Sequence, residues 1–484
     1  MRLTLFFVSA VLALAQAPRY TVKDLGTLPD GHFSQAAFID NTGRIVGIAA
    51  AANGTQHAVL WNKGGGQVAD ISTSIPSDLN SGAFSSNAQG QASIQAETTA
   101  TDPNNANFCL YGTGKVCQAF IYDNGAFNPV HSLGGYNSTV GNINARGEMS
   151  GLAETGMHDL DCPTHPLVNG TGPLTLNYQA VVWGPKASDF RILKPLPGDT
   201  VGQALSVNDS GEATGVTGSC ANTVIPPFVT GPHMVVWDKN GNPTDIGNLG
   251  GNTNPNVLGF GHSAFVINNR SQVTGVSTLP GNATYHAFLW SKQTKMVDLG
   301  VLPGAVASAG LGLNNLGQVV GGSGDSTDVM GPSRAFLYPV NGKMADLNEL
   351  VQGESPLFLG VAFAISEAGE IVGMGFTEDG EPHGFLATPV KQQKPVAAAA
   401  PKNAAVLARQ MNLDGTGSTS PDGKALSYFW SIPQGSPSAA ILHGDSPIPS
   451  VQFTTRGLYT FQLTVTDATG NAATDNATVN FLGN

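Results

Sequence analysis

One phrase returns seven times along this chain and limits what it can fold into. It reads His-Ala-Val-Leu-Trp at 57–61, Gln-Ala-Phe-Ile-Tyr at 118–122 and Gln-Ala-Val-Val-Trp at 179–183. Further copies stand at 233–237, 286–290, 334–338 and 383–387. Their last positions are 61, 61, 54, 53, 48 and 49 residues apart. A period of this length means that each copy is one supersecondary unit, stable only when stacked against its neighbours.

A second phrase precedes each copy. It begins at Asp40, Asn87, Asn144, Asn208, Asn268, Asn314 and Ser366, and a Gly follows three residues later in six of the seven, with Ser271 in the fifth. Apolar residues flank it, so it reads as a tight β-hairpin turn. Another Gly usually comes four residues on (Gly47, Gly151, Gly215, Gly275, Gly321, Gly373), with Ile94 in the second unit. A third phrase, Asp-Leu-Gly or a relative of it, follows the aromatic strand at Asp70, Asp245, Asp298 and Asp346. Four short strands per unit of about 54 residues are the pattern of a β-propeller blade. The seventh unit lacks its last strand, and the chain start supplies one in Tyr20 to Gly26. Composition agrees, with 61 glycines and 12% charged residues against about 25% usually. The expectation is an all-β chain: a seven-bladed β-propeller, its last blade closed by the N-terminal strand, followed by an Ig-like β-sandwich. The combined repeat pattern over about residues 20–390 resembles the bacterial extracellular repeats called HAF. That resemblance implies an exported, propeller-like protein and no established catalytic activity.

Composition shifts at 388–401, and short alternating strands follow. Leu413-Asp-Gly-Thr-Gly-Ser418, Tyr428-Phe-Trp430 and the run from Gly457 to Asp467 resemble a PKD-type domain. The usual Phe-Gly-Asp-Gly after the Trp is replaced here by Ser431-Ile-Pro-Gln-Gly435. The resemblance implies an extracellular spacer or adhesion module. Some PKD-type domains hold calcium, which makes Asp414, Asp422 and Asp467 its candidates; turn formation is the competing reading. No other cofactor is expected.

Arg2, the apolar run Leu3 to Leu14 and Ala13-Leu-Ala15 read as a secretory signal peptide. The domain plan is thus residues 1–15 signal peptide, 18–390 repeat propeller and 391–484 PKD-like sandwich, secreted to an extracellular or periplasmic space. No later stretch is long enough to span a membrane. Net charge is −12 without a basic stripe, which argues against nucleic acid as partner. In an exported chain the four cysteines are disulfide candidates, Cys109 with Cys117 and Cys162 with Cys220.

No nucleophile elbow, phosphate loop, dinucleotide fingerprint or zinc motif is present. The repeated His and Asp residues recur once per blade, which suits hydrogen bonding and turn capping better than one converging site. The longest loops lie at 98–116, 155–177 and 219–232, at equivalent places in three successive units. Insertions on one face of a repeat protein make binding surfaces. Tyr111, His158, Asp159, Asp161, His165 and Phe228 are the binding-loop candidates. The function expected is a secreted, non-catalytic binding or scaffold protein that contacts a glycan or a cell-surface or matrix protein. An extracellular polysaccharide hydrolase or lyase, or a self-assembling surface-layer component, are the alternatives.

Overall fold

The computed structural model describes residues 18–483 except 106–107, 162–175, 224–229, 253–261, 326–332, 341, 391–393, 421–424 and 469. The signal-peptide region, Cys162, His165, Phe228 and Asp422 lie outside the described residues. The chain divides into two units, 17–389 and 390–484.

Among the described residues, the first unit holds seven four-stranded antiparallel sheets. Sheet one is Ser34–Ile39, Ile45–Ala50, Gln56–Trp61 and Val68–Asp70. Sheets two to six follow in chain order with the same linear strand order. Sheet seven takes Phe358–Ile365, Ile371–Phe376 and Pro382–Pro389, and Tyr20–Asp24 adds the fourth strand. Tyr20 pairs with Pro389 and Asp24 with Phe385. Tyr20 itself is buried among Leu347, Leu350 and Leu359. Sheets two and three have no Asp-Leu-Gly phrase, yet Ala126–Pro129 and Phe190–Leu193 still form their fourth strands. The first strand of sheet one also packs against Ile371–Phe376 and Pro382–Pro389 of sheet seven.

The hairpin between first and second strands has one geometry throughout. In sheet four the Asn208 carbonyl accepts from Gly211 N–H, while its Oδ1 accepts from the Ser210 and Glu212 N–H groups at 3.0 Å each. The third residue after the Asn takes a positive φ, from +56° at Ser271 to +98° at Gly90. This is the left-handed position that Gly adopts without strain.

The second repeated Gly has a different cause. In every sheet the pairing of first and second strands shifts register, as between Ala36 and Phe38 or Ala264 and Val266. Such a bulge turns a carbonyl out of line. A Cβ on Gly47, Gly215 or Gly275 would overlap the carbonyl oxygen of Gln35, Gln203 or Ser263. Sheet two keeps the shift with Ile94 at that place, and nothing in its geometry explains the exception.

The second unit has a four-stranded sheet and a three-stranded sheet. Gly457–Thr466 alternates, with Tyr459, Phe461, Leu463 and Val465 buried inward. They meet Trp430, Phe453 and Phe481 in one core. Tyr459 Oη donates to the Thr455 carbonyl at 2.6 Å, the corner that ties a sandwich strand to its preceding loop. Among the described residues no helix is long and apolar enough to cross a membrane.

Candidate functional site

The turn asparagines do more than shape their own hairpins. Asn87 Nδ2 donates to the Asn144 carbonyl at 2.9 Å, and Asn144 Nδ2 to the Asn208 carbonyl at 2.9 Å. Asn208 reaches Asn268, Asn268 reaches Asn314, and Asn314 reaches Ser366 in the same way. Each turn thus clasps the next sheet. Asp40 in sheet one lacks an amide donor. Arg44 replaces it, bonding Asp40 Oδ2 at 3.2 Å and the Asn87 carbonyl at 2.7 Å. From sheet seven, Glu367 N–H donates to Asn41 Oδ1 at 3.2 Å.

A second bond recurs at the small residue of the His-Ala-Phe phrase. Ala58 N–H donates to Ser81 Oγ, Ala119 N–H to Ser138 Oγ and Ala287 N–H to Ser308 Oγ, each on the next sheet's first strand. Gly384 N–H makes the same bond to Ser34 Oγ at 2.9 Å.

The seven first strands and their turns line one cavity of about 500 Å³. Its wall includes Phe84, Leu205, Phe265, Leu311 and Phe363. At the turn end stand Asn41, Asp209, Asn269, Asn315 and Glu367. Among the described residues no Lys, Arg or His contributes to the lining.

The opposite ends of these strands carry the long connections of sheets two to four. In sheets two and three the strands run on into them, as Gln91–Thr101 and Met149–His158. Three carboxylates lie buried here: Glu97, Asp102 and Glu154. Glu97 Oε2 accepts from Asn80 N–H and Nδ2, and Glu97 Oε1 from the Thr113 hydroxyl. Glu154 Oε2 accepts from Tyr136 N–H, Asn137 N–H and Asn137 Nδ2. The same Asn137 Nδ2 reaches Asp102 Oδ2 at 3.0 Å, and Asn137 Oδ1 accepts from Cys117 N–H. Glu154 Oε1 has no partner among the described residues. Burial pushes the Glu154 carboxyl up to about 7; the Asp102 charge adds to this and the Asn137 bonds offset part of it.

These glutamates belong to no repeated phrase, but the sequence carries a signal for them. Each stands ten residues after its turn Asn, where other units carry Ala50, Gly218, Thr278, Gly324 and Phe376. A carboxylate at a place otherwise filled by small or apolar residues marks a local departure from the repeat.

The Cys109–Cys117 disulfide is present beside this cluster. Cys220 is buried, and its expected partner Cys162 is outside the described residues. Among the described residues no cysteine is free. Tyr111 is half-buried and lines a second cavity of about 430 Å³ with Asn53, Asn80 and Leu110. Burial, with the Glu97 charge, holds its phenol above the usual range. Asp159 accepts from Asn177 Nδ2 and Asp161 N–H, both at 3.0 Å. His158 and Asp161 are exposed. In the C-terminal unit, Asp414 caps a turn through Thr416 N–H, and Asp467 another through Asn471 N–H. Among the described residues no three His, Cys, Asp or Glu side chains stand together as metal ligands.

The repeated His and Asp meet each other within a sheet. His57 Nδ1 lies 2.7 Å from Asp70, His286 2.9 Å from Asp298 and His383 2.9 Å from Asp24. Arg334 takes the His place against Asp346. His233 departs, pairing with Asp199 instead of Asp245. The aspartates also cap the turn that follows, as Asp298 does through Gly300 N–H. Trp61, Trp183 and Trp237 are fully buried, their indole N–H groups donating to the carbonyls of Leu25, His131 and Lys194.

No curated protein matches the chain. Among solved structures, a nucleoside hydrolase-related hypothetical protein from Saccharophagus degradans is 25% identical over 19% of this chain and 26% of its own, with a TM-score of 0.17. The matched part spans about a quarter of that protein. The PKD1 domain of Vibrio anguillarum Epp is 29% identical over 19% of this chain and all of its own, with a TM-score of 0.16. Pyrococcus horikoshii acylaminoacyl peptidase is 10% identical over 84% of this chain and 59% of its own, with a TM-score of 0.43. At these TM-scores the structures carry no argument about function. The family model that matches is a PKD domain, over residues 399–481. A PKD domain of Ig-like fold therefore makes up the C-terminal unit.

Proposed function

We propose that residues 18–390 form a closed seven-bladed propeller of the HAF-repeat kind, exported behind the signal peptide of residues 1–15. In this reading the protein is a secreted, non-catalytic binding or scaffold protein. Its long-loop side, on blades two to four, contacts a glycan or a cell-surface or matrix protein, and the PKD domain serves as spacer or adhesion module. Support for closure is the bond from Gly384 N–H to Ser34 Oγ, which repeats between blades seven and one the bond made between blades one and two.

The observation that carries the non-catalytic reading is burial. Glycoside cleavage needs two carboxylates roughly 5–10 Å apart on either side of one substrate bond. The carboxylates clustered beneath the long loops, Glu97, Asp102 and Glu154, lie under the surface and are held by Asn80 and Asn137, whereas the surface pair Asp159 and Asp161 stands within a single loop turn, Asp159 accepting from Asp161 N–H. A polysaccharide does not reach the clustered three.

The test is incubation of the exported chain with a panel of polysaccharides, reading retained protein and new reducing or unsaturated ends together. Retention without products supports the proposal. Products overturn it in favour of a hydrolase or lyase. Neither signal, with growth of large particles in light scattering, favours a surface-layer component.

A further inference from the structure

The cavity at the turn end lies at the opposite ends of the strands from the long loops, and the binding role proposed above does not use it. We propose that it is a second binding site, for a neutral hydroxylated ligand with an apolar face, the chemistry of a sugar residue. This rests on the propeller reading, which makes the seven first strands one wall.

Size comes first. About 500 Å³ falls within the range of roughly 300–1,000 Å³ of small-ligand pockets. Charge comes second. Among the described residues the lining holds no Lys, Arg or His, and its acidic members are Asp40, which Arg44 pairs from outside the lining, Asp209 and Glu367. A phosphate, sulfate or uronate would enter without a counter-charge, beside carboxylates, at a large desolvation cost. An organic cation is a poorer fit than a hydroxylated ligand. A cation would find only the second oxygen of Glu367 open to it, since both Asp209 oxygens are engaged, by Ala145 N–H and Asn269 Nδ2, and it cannot use the amide donors of the rim.

The rim donors are held in place before any ligand arrives. Asn41 Oδ1 accepts from Glu367 N–H, and Asn315 Oδ1 accepts from Asn269 N–H at 2.8 Å. Fixing the oxygen fixes the amide plane. It leaves Nδ2 of Asn41 and of Asn315 without a partner among the described residues. Glu367 Oε1 accepts from Asn315 N–H at 2.9 Å, and its second oxygen stays available as an acceptor. Donor, acceptor and donor thus follow one another on sheets six, seven and one, and Phe84, Phe265 and Phe363 are among the residues that line the same cavity. Hydroxyl groups both donate and accept, and the C–H face of a sugar packs on an aromatic ring. Oriented groups of this kind bind without an ordering cost.

The test is calorimetric titration of the full exported chain with neutral cello-, malto- and xylo-oligosaccharides and with oligogalacturonate. The double variant Asn41→Asp with Asn315→Asp keeps both acceptor oxygens, and with them the contacts to the neighbouring sheets, but removes both donors. At least one neutral probe is expected to bind, oligogalacturonate is not, and the double variant is expected to weaken binding about tenfold or more. His286→Gln, outside the cavity lining, is expected to leave this binding unchanged. The proposal is overturned by no binding of any neutral probe, by equal binding of oligogalacturonate, or by binding that the double variant leaves unchanged. Small-angle scattering of the same samples separates the two levels. A profile incompatible with a closed seven-sheet particle defeats the propeller reading, whereas a compatible profile with no neutral binding defeats the site alone.

Discussion

At one end of the seven sheets every hairpin turn is closed by the same backbone bond, and five of the seven clasp the next sheet through an Asn amide; at the other, sheets two to four each do something different. The turn end is made of Asx turns whose side chains also clasp the neighbouring sheet, so one residue serves two purposes. Changing it breaks both. The far end shares less: the bond from the small residue of the third strand to a Ser Oγ of the next sheet is made between sheets one and two, two and three, five and six, and seven and one. There Glu97 and Glu154 enter at the same repeat position, bury their carboxylates and recruit Asn80 and Asn137 to hold them. The difference teaches that a repeat stays regular where one residue both shapes its own unit and holds the next. It drifts where those two jobs fall to different residues, as with Glu97 and Asn80.

The largest effect expected at the regular end comes from the Gly beside the bulge. Gly275→Val drives side-chain atoms into the Ser263 carbonyl and should cost about 4 kcal/mol or abolish folding, read by urea unfolding. Gly156→Ala, at the variable end, should cost less than about 1 kcal/mol, because its new Cβ would sit no closer than 3.3 Å to its nearest neighbour, the Gly134 oxygen. Equal losses would erase the distinction between the two ends.

The second effect belongs to Glu154. Its carboxyl is raised from 4.5 to about 7 on folding, so the folded chain keeps a proton that the unfolded chain gives up. Stability should therefore be unaffected by this group below pH 4.5, fall as pH rises to about 7, and level off above. The shift corresponds to about 3 kcal/mol over that window. Glu154→Gln should flatten the dependence, measured as the urea midpoint from pH 4 to 8. An unchanged slope in the variant would show that Glu154 is not the titrating group.

A smaller effect separates the two jobs of a turn asparagine. Asn268→Asp retains the oxygen that shapes its own hairpin and loses the donor to the Asn314 carbonyl, at a cost of about 2 kcal/mol. No loss would mean that the clasp contributes nothing. The smallest concerns His286, whose Asp298 partner is exposed. His286→Gln should change stability by about 0.5 kcal/mol or less and leave metal content at zero by elemental analysis. A bound metal lost in the variant would reverse the structural reading of the repeated histidines.

Much of this was legible in the sequence, and the reason is the regular end. Asn144 with Gly147, or Asn314 with Gly317, announces a hairpin because few residues satisfy a left-handed turn position. Tyr20 to Asp24 was readable as the missing strand of the seventh sheet because its Asp-Leu-Gly phrase was out of place. The tail was readable through the alternation of Tyr459, Phe461, Leu463 and Val465. The clasps were not legible, because a side chain's second bond depends on which sheet stands beside it. Arg44 standing in for the missing amide of Asp40 makes sense only with Asn87 in place. Asp102 lies within the long loop at 98–116, yet it is buried with Asn137, a partner from the next sheet. The fourth strands of sheets two and three carried no phrase to find, because Phe127 and Phe190 stand where other units place the Asp-Leu-Gly strand.

The central claim is that the chain closes on itself through its first strand. Hydrogen exchange of the amides in Tyr20–Asp24 tests it most directly. Closure predicts that they exchange as slowly as those of their partner strand Pro382–Pro389, and that both slow together with Ser34–Ile39. Exchange of Tyr20–Asp24 at the rate of a free chain end, beside a protected Pro382–Pro389, would contradict it.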